Sequence, residues 1–280
     1  MHGCSSNRAT CKLGEQFMKR LAYAKRIVIK IGTNTLMKGD KVSAAVIDSL
    51  ARQISGEVEK GKEIILVTSG AVGFGSEKLG IMPKNLSVSQ QQAAAAVGQG
   101  LLMSEYEKAF SKRKQPIAQI LLTSYNFQNK ASLADLKNTI SELMKMKVVP
   151  IINENDPVSI EELDVEGKFD DNDGLAALSA IEFGAGLIVL FTDVGGIYDK
   201  NPREFKDAKI INGFSELQES EIHFGEKSYF GLGGAQAKVK AVKKVLSKGI
   251  SAIVCRLEKG SLSKIFAGKA QGSVFLPKEK

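Results

Sequence analysis

Two lysines stand where their charges could act on an anionic ligand. Lys30 lies near the end of a short apolar run, two residues before Gly32, and Lys238 comes shortly after the glycines of 231–234. A glycine lets backbone N–H groups approach an anion closely, and a lysine supplies a compact positive charge. The alternatives are a Lys30 side chain that reaches solvent and a solvated basic helix around Lys238. Together the two segments favour a site for phosphate groups, with Lys238 near the start of a helix.

Amide and carboxylate side chains are concentrated in two further segments. Asn153–Asp156 reads Asn-Glu-Asn-Asp directly after an apolar run, and Asp170–Asp173 reads Asp-Asp-Asn-Asp directly before a helical pattern. The first segment offers donors and acceptors for the ammonium and carboxylate groups of an amino acid, although an Asx turn before Pro157 is the alternative. The second is either a helix N-cap with an acidic first turn or a group that organises lysines and metal-bound phosphates.

Small residues follow two more apolar runs. Ser69–Gly73 is a turn that opens a helix, and its amides could hold a carboxylate or a phosphate. Thr192 and Asp193 lead into Gly195 and Gly196, and this hydroxyl and carboxylate suit a loop that faces a nucleotide. Glycine turns after strands are common, so each segment alone would also fit a turn without any chemistry.

The composition argues against several other functions. The chain has 280 residues, of which 43% are hydrophobic and 25% charged, as in ordinary globular domains. Its longest apolar runs fall far below the ~18 residues of a membrane span, so we expect no membrane partner. Three cysteines and two histidines form no CxxC or HxxxH pair, which argues against a zinc site or a disulfide framework. The net charge of +8 fits an enzyme for anionic substrates as well as nucleic acid binding, which we consider the weaker alternative because the lysines are scattered and tryptophan is absent.

Strands and helices alternate along the chain and would bring the polar segments together. Six short apolar runs predict strands, and stretches with apolar residues three and four apart predict helices between them. Such alternation predicts an α/β fold with a mainly parallel sheet that is covered on both faces. Ligands of these sheets bind beyond the carboxyl ends of the strands, where the polar segments lie. The predicted strands are Ile27–Ile31, Ile64–Val67, Ile117–Leu122, Val148–Ile152, Leu187–Phe191 and Ile250–Val254, and the predicted helices include Gln91–Phe110, Leu133–Met146, Gly174–Phe183 and Gln236–Lys248.

The chain divides into a short extension and one domain. Residues 1–17 are polar, precede a second methionine at Met18 and lack the apolar core of a secretion signal. We interpret them as a disordered extension or a cloning remnant. No linker rich in Pro, Gly or Ser interrupts residues 18–280, which we expect to form a single domain.

The ordered set of segments resembles the glutamate 5-kinases of the amino acid kinase superfamily. The resemblance runs from about Arg26 to Phe275 and is most specific in the Asn-Glu-Asn-Asp and Asp-Asn-Asp segments. It implies a three-layer αβα sandwich in which ATP and an amino acid occupy neighbouring sites above one sheet edge. It also implies phosphoryl transfer from MgATP to the γ-carboxylate of L-glutamate, at the head of proline synthesis. The segments that carry the resemblance are Lys30–Thr33, Val67–Val72, Gln92–Gln99, Gln119–Thr123, Pro150–Asp156, Asp171–Asp173 and Thr192–Asp193.

The resemblance also implies a role for individual residues. Lys30 and Lys238 would hold the transferring phosphoryl group, and Asp173 would orient these two lysines. Magnesium would be held mainly by the ATP phosphates rather than by residues of the protein. The implied glutamate-binding residues are Ser69, Gly70, Asn153, Asp156 and Asn172, and the implied ATP-binding residues are Lys30, Gly32, Thr192, Asp193, Gly233, Gly234 and Lys238.

The same resemblance implies a cytoplasmic homo-oligomer, either a dimer or a tetramer, that binds no nucleic acid and no membrane. Family members usually carry hydroxyl groups at the positions of Leu232 and Ala237, so we expect part of the nucleotide contact to differ here. Asp170 stands where a glycine is common in the family and adds a negative charge near the site. Many also have a C-terminal PUA domain, for which we expect no room before Lys280. Two alternatives remain open: a kinase of the superfamily that acts on a related small acid such as N-acetylglutamate, and a non-catalytic sensor of glutamate or proline.

Overall fold

The computed structural model shows the alternation of strands and helices that the sequence predicts. It describes residues 24–38, 41–82, 86–158, 171–213 and 234–278, and the proposed extension at residues 1–17 lies outside these ranges. In chain order the elements are β1 (Arg26–Ile31), α1 (Thr33–Leu36), β2 (Met37–Lys38), β3 (Lys41–Val42), α2 (Ala44–Glu59), β4 (Glu63–Val67), α3 (Ala71–Leu79), α4 (Val88–Ser111), β5 (Ile117–Leu122), α5 (Ser124–Gln128), α6 (Lys130–Lys145), β6 (Val149–Glu154), a 3₁₀ turn (Asp156–Val158), α7 (Asn172–Glu182), β7 (Leu187–Phe191), α8 (Ala235–Ser247), β8 (Ser251–Cys255), α9 (Ser261–Phe266) and β9 (Ser273–Phe275).

Seven strands of the described chain form one sheet in the order β5-β6-β4-β1-β7-β8-β9. The six predicted strands pair in parallel, whereas β9 at one edge pairs antiparallel with β8. The prediction of a mainly parallel sheet is therefore confirmed. Strand β9 and the β2–β3 hairpin were not predicted, because strands of two or three residues are too short to show a pattern.

Helices cover both faces of this sheet. Because β1 lies in the middle of the sheet, its residues Ile27, Val28 and Ile29 are all fully buried, on alternate faces. Helices α5 to α8 pack in the cluster that contains Val28, and α2, α3, α4 and α9 pack in the cluster that contains Ile27 and Ile29. The expected three-layer αβα sandwich is therefore confirmed. None of the helices in the described ranges combines the length and the apolar composition needed to cross a bilayer.

The parallel strands place their carboxyl ends, and with them the polar segments, at one edge of the sheet. Lys30 on β1 lies opposite Val67 at the end of β4, and Ile31 lies opposite Phe191 at the end of β7. Gly70 then starts α3 with a φ of +113°, a left-handed conformation that glycine adopts at little cost. The chain can therefore turn sharply from β4 into α3 at this edge.

Helices α3 and α4 cross with their backbones in contact. A Cβ atom at Gly75 would lie 1.7 Å from the carbonyl oxygen of Ala94, and a Cβ atom at Gly98 would lie 1.8 Å from the carbonyl oxygen of Ala71. No side chain fits at such distances, so both positions require glycine in this packing. The crossing holds the start of α3, which follows Ser69 and Gly70, against the middle of α4.

We expect the substitution Gly98→Ala to destabilise the fold. The added methyl group would force the two helix backbones apart, and overpacking of this kind costs ~1–3 kcal/mol or more. Gly100 lies on the same helix, and nothing lies within 4 Å of its Cβ position, so Gly100→Ala should instead stabilise the helix by ~0.5–1 kcal/mol. Urea unfolding measures both changes, and similar free energies of unfolding for the two variants would contradict the backbone contact.

Candidate active site

One buried carboxylate joins the two lysines that the sequence singles out. The Nζ of Lys30 lies 2.6 Å from Oδ1 of Asp173, and the Nζ of Lys238 lies 3.0 Å from Oδ2 of the same residue. Asp173 is fully buried, and Lys30 is only 5% exposed. Lys30 therefore does not extend into solvent, and two ammonium groups from distant parts of the chain meet at one carboxylate. We call these three residues the lysine–aspartate–lysine group.

Three elements hold this group at the edge of the sheet. Lys30 is the last residue but one of β1, Asp173 lies in the first turn of α7, and Lys238 lies in the first turn of α8. Asp171 caps α7, because its Oδ1 accepts a 2.8 Å hydrogen bond from the N–H of Gly174. The acidic segment at the start of α7 therefore contains both an N-cap, Asp171, and a carboxylate that pairs with the two lysines, Asp173.

The charges of this group favour an anionic ligand. Burial by itself raises the pKa of Asp173, but the Lys30 and Lys238 ammonium groups outweigh burial and lower it, so the carboxylate stays ionised. At Asp171 the balance is reversed, since burial and the charge of Asp173 raise its pKa. Two ammonium groups on one carboxylate leave an excess of one positive charge in the lysine–aspartate–lysine group.

Gly32 brings the backbone close to the Lys30 ammonium group. A Cβ atom at Gly32 would lie 3.3 Å from the Nζ of Lys30, which is tighter than nine in ten contacts of real Cβ atoms. A larger residue would therefore require the Lys30 ammonium group to shift by a few tenths of an ångström.

A second cluster of polar groups lies beside the lysine–aspartate–lysine group. The Nδ2 of Asn172 donates a 2.8 Å hydrogen bond to the Oγ of Ser69, which joins the start of α7 to the loop after β4. Because Asn172 and Asp173 are consecutive residues, this hydrogen bond brings Ser69 and Gly70 next to the two lysines. Residues expected to contact phosphate and residues expected to contact an amino acid therefore meet at the start of α7.

The end of β6 brings two more of the expected amino acid contacts to this edge. Asn153 is 1% exposed, and its Nδ2 donates a 2.9 Å hydrogen bond to Oε1 of Gln99 on α4. Burial, and then the charge of Glu154, raise the pKa of Asp156 to about 7. A neighbouring cation would stabilise the ionised form of this carboxylate. The ammonium group of an amino acid is such a cation.

The residues expected to contact ATP lie partly in the loop after β7. The Oγ1 of Thr192 donates a 3.2 Å hydrogen bond to Oδ1 of Asp193, and Arg203 forms an ion pair with the same carboxylate. The carbonyl oxygen of Asp193 accepts two hydrogen bonds, of 3.1 and 2.8 Å, from the guanidinium group of Arg256. A cavity of about 240 Å³ opens beside this loop, and Val194 and Arg256 are among the residues that line it.

Sequence reasoning gave no role to three residues at this edge. Gln99 stands in a segment that carries the family resemblance, but no pattern connects it with Asn153. Arg203 reaches Asp193 only through the fold of the loop between them. Arg256 directly follows β8. Its place at the carboxyl end of a parallel strand could have marked it as a candidate site residue from the sequence. Of the two expected glycines before α8, Gly234 is the N-cap and Gly233 lies outside the described residues.

Residues 25–256 match the sequence profile of the amino acid kinase family. The chain belongs to this family. Among its relatives, the glutamate 5-kinase of Ligilactobacillus salivarius is 37% identical over 92% of this chain and 98% of the relative. The glutamate 5-kinase of Enterococcus faecalis is 39% identical over 92% and 96%, and that of Caldanaerobacter subterraneus is 40% identical over 90% and 68%.

A solved structure shares the fold of this chain. The carbamate kinase from Giardia lamblia bound to AMP-PNP matches with a TM-score of 0.64, and the match covers 90% of this chain and 98% of that chain. The two sequences are 14% identical, so this similarity supports the fold alone.

We expect Asp156→Asn to stabilise the ligand-free protein more at pH 8 than at pH 5. The pKa of Asp156 is raised from 3.8 to about 7 on folding. The contribution of Asp156 to the free energy of unfolding is therefore favourable at low pH and is lost as the pH rises towards 7. Because one pKa unit corresponds to ~1.4 kcal/mol, the gain from asparagine should be ~2–3 kcal/mol larger at pH 8.

Urea unfolding at the two pH values, without glutamate, measures this difference. Asp48→Asn is the control, because its arginine and lysine partners lower the pKa of Asp48 to about 2 and its contribution should be the same at pH 5 and pH 8. A gain from Asp156→Asn that does not change with pH would contradict the raised pKa.

Proposed function

We propose that this protein is a glutamate 5-kinase, which transfers the γ-phosphoryl group of MgATP to the γ-carboxylate of L-glutamate. The product is L-glutamyl 5-phosphate, at the start of proline synthesis. The observation that carries the proposal is the pair of consecutive residues Asn172 and Asp173, since Asn172 binds Ser69 and Asp173 binds both lysines. The names of the relatives, which align over about nine tenths of this chain, point to the same reaction.

The reaction brings two anions together, and the lysine–aspartate–lysine group is suited to that task. At ~4 Å and an effective dielectric constant of ~20, each pair of like unit charges repels by ~4 kcal/mol. Lys30 and Lys238 would contact the transferring phosphoryl group and offset this repulsion. The carboxylate of glutamate is already an adequate nucleophile, so the site needs positioning and positive charge rather than a general base.

Glutamate would bind between the ends of β4 and β6 and the start of α7. Ser69, Gly70 and Asn172 would hold its carboxylate groups with hydroxyl, backbone and amide donors. Asp156 would accept its ammonium group, which in turn would favour the ionised form of Asp156. Asn153 lies beside this position and would add an amide contact.

MgATP would bind on the other side of the lysine–aspartate–lysine group. We assign its phosphates to Lys30, Gly32, Gly233, Gly234 and Lys238, and we assign Thr192 and Asp193 to the rest of the nucleotide. Both oxygens of Asp173 are taken by ammonium groups, and the described residues contain no cluster of three Asp, Glu, His or Cys side chains that could hold a metal ion. As the family resemblance implies, we expect magnesium to arrive as part of the substrate, held by the ATP phosphates.

The resemblance supports three further proposals about the working protein. We place it in the cytoplasm, as a homo-oligomer of two or four chains, with small molecules rather than nucleic acid or membrane as its partners. Of the two alternative functions, a glutamate or proline sensor is less favoured, because simple binding makes no use of the lysine–aspartate–lysine group. A kinase for a related acid would share that group, and the choice of acceptor in an activity assay distinguishes it.

A hydroxamate assay tests the proposed function. The purified protein is incubated with MgATP, hydroxylamine and either L-glutamate or N-acetylglutamate, and an acyl phosphate is trapped as its hydroxamate. We expect hydroxamate with L-glutamate. Binding of L-glutamate without hydroxamate would support the sensor, and hydroxamate with N-acetylglutamate alone would support the related kinase.

We expect Lys238→Ala to lower kcat by ~10²–10³-fold with little change in the dissociation constant of L-glutamate. The reason is that Lys238 would contact the charge that develops on the phosphoryl group and not the amino acid. Lys240→Ala removes an exposed lysine of the same helix and serves as the control, with kcat unchanged. Equal losses of turnover and of glutamate affinity in Lys238→Ala would assign the lysine a structural role instead.

A further inference from the structure

Gln99 and Asn153 form a buried pair of amides at the edge of the sheet that holds the proposed glutamate site. The hydrogen bond from Nδ2 of Asn153 to Oε1 of Gln99 is 2.9 Å long. Asn153 is 1% exposed and Gln99 is 8% exposed. Asn153 lies next to Glu154, and its strand neighbour Ile152 accepts a hydrogen bond from the N–H of Thr68, the residue before Ser69. The pair therefore lies directly beside the loop that starts α3.

The packing of α4 fixes Gln99 in this position. Its neighbour Gly98 is one of the two glycines at which the backbones of α3 and α4 touch. Two turns further along the same helix face, the hydroxyl of Tyr106 lies 2.7 Å from Oγ1 of Thr68, also buried. Helix α4 thus supports the ends of β6 and β4 through two separate side chains.

One donor group and one acceptor group of the amide pair are left over. Neither Nε2 of Gln99 nor Oδ1 of Asn153 has a hydrogen-bond partner among the described residues, although both atoms are buried. Buried polar atoms are nearly always paired, because an unmade hydrogen bond is costly away from water. The two atoms together offer an N–H donor beside a carbonyl acceptor, which matches a ligand group that carries both an acceptor and a donor.

We infer that Gln99 is a specificity-determining residue that, with Asn153, recognises the α-amino acid end of the substrate. Oδ1 of Asn153 accepts from the ammonium group, and Nε2 of Gln99 donates to the α-carboxylate. The hydrogen bond between the two side chains keeps the Asn153 oxygen facing the ammonium group, because its Nδ2 is already used. This inference rests on the proposed function, since it takes L-glutamate as the ligand.

Two analogues of L-glutamate separate the two contacts. Glutarate lacks the ammonium group, and 4-aminobutyrate lacks the α-carboxylate. Calorimetry with the three ligands gives the preference for L-glutamate over each analogue. In Gln99→Met, which has a similar volume but no amide, we expect both preferences to fall on the order of tenfold, the effect of one hydrogen bond.

A second variant keeps the hydrogen-bond acceptor of the Gln99 side chain but not its donor. Gln99→Glu retains an oxygen for Nδ2 of Asn153 but loses the Nε2 donor, so it should keep the preference over glutarate and lose the preference over 4-aminobutyrate. Tyr106→Phe is the control, because it removes the other buried hydrogen bond of α4 and should lower the melting temperature without changing either preference. Melting curves of all three variants show that they are folded.

The outcomes separate this inference from the proposed function. A wild-type protein that makes no hydroxamate from L-glutamate would overturn the proposed function itself. Suppose instead that the wild type is active but that, in Gln99→Met, the preference for L-glutamate is unchanged over both analogues or falls over only one of them. This result would overturn only the inference about Gln99. A loss of preference in Tyr106→Phe as large as in Gln99→Met would also overturn it, because the effect would then come from packing.

Discussion

The site depends on the carboxylate of Asp173, which lies between two ammonium groups and binds each with a different oxygen. An unpaired ammonium group is costly to bury, and two of them side by side also repel each other. Asp173 makes the arrangement stable while leaving an excess of positive charge. Its own burial would favour the neutral form, but the two lysines keep it ionised. Each of the three charges therefore needs the other two.

The fold brings these groups together through the start of one helix. Helix α7 begins with Asn172 and Asp173, which bind Ser69 on one side and the two lysines on the other. A phosphoryl donor and a carboxylate acceptor bound to these residues would be neighbours without any movement of a domain. The glycine contacts between α3 and α4 stabilise the part of the same edge at which we propose that glutamate binds, since they hold both the loop after β4 and Gln99 in place.

Much of this arrangement could be predicted from the sequence, because apolar runs mark the strands and parallel strands bring their carboxyl ends to one edge. That rule by itself places Lys30, Ser69, Asn153 and Thr192 at the same edge. The contact between Gln99 and Asn153 could not be predicted, since it depends on how closely two helices approach. The edge strand β9 was missed because its three residues show no period, and Gly233 lies outside the described residues, so its place is still a prediction.

The most direct test of this account is a crystal structure of the protein with magnesium, a non-hydrolysable ATP analogue and L-glutamate. We expect the Nζ atoms of Lys30 and Lys238 both to lie at charge-assisted hydrogen-bond distance, ~2.7–2.9 Å, from oxygens of the same terminal phosphoryl group. Asp173 should still contact both lysines, and the γ-carboxylate of glutamate should face the phosphorus atom. A complex in which either lysine points away from that phosphoryl group would contradict the account.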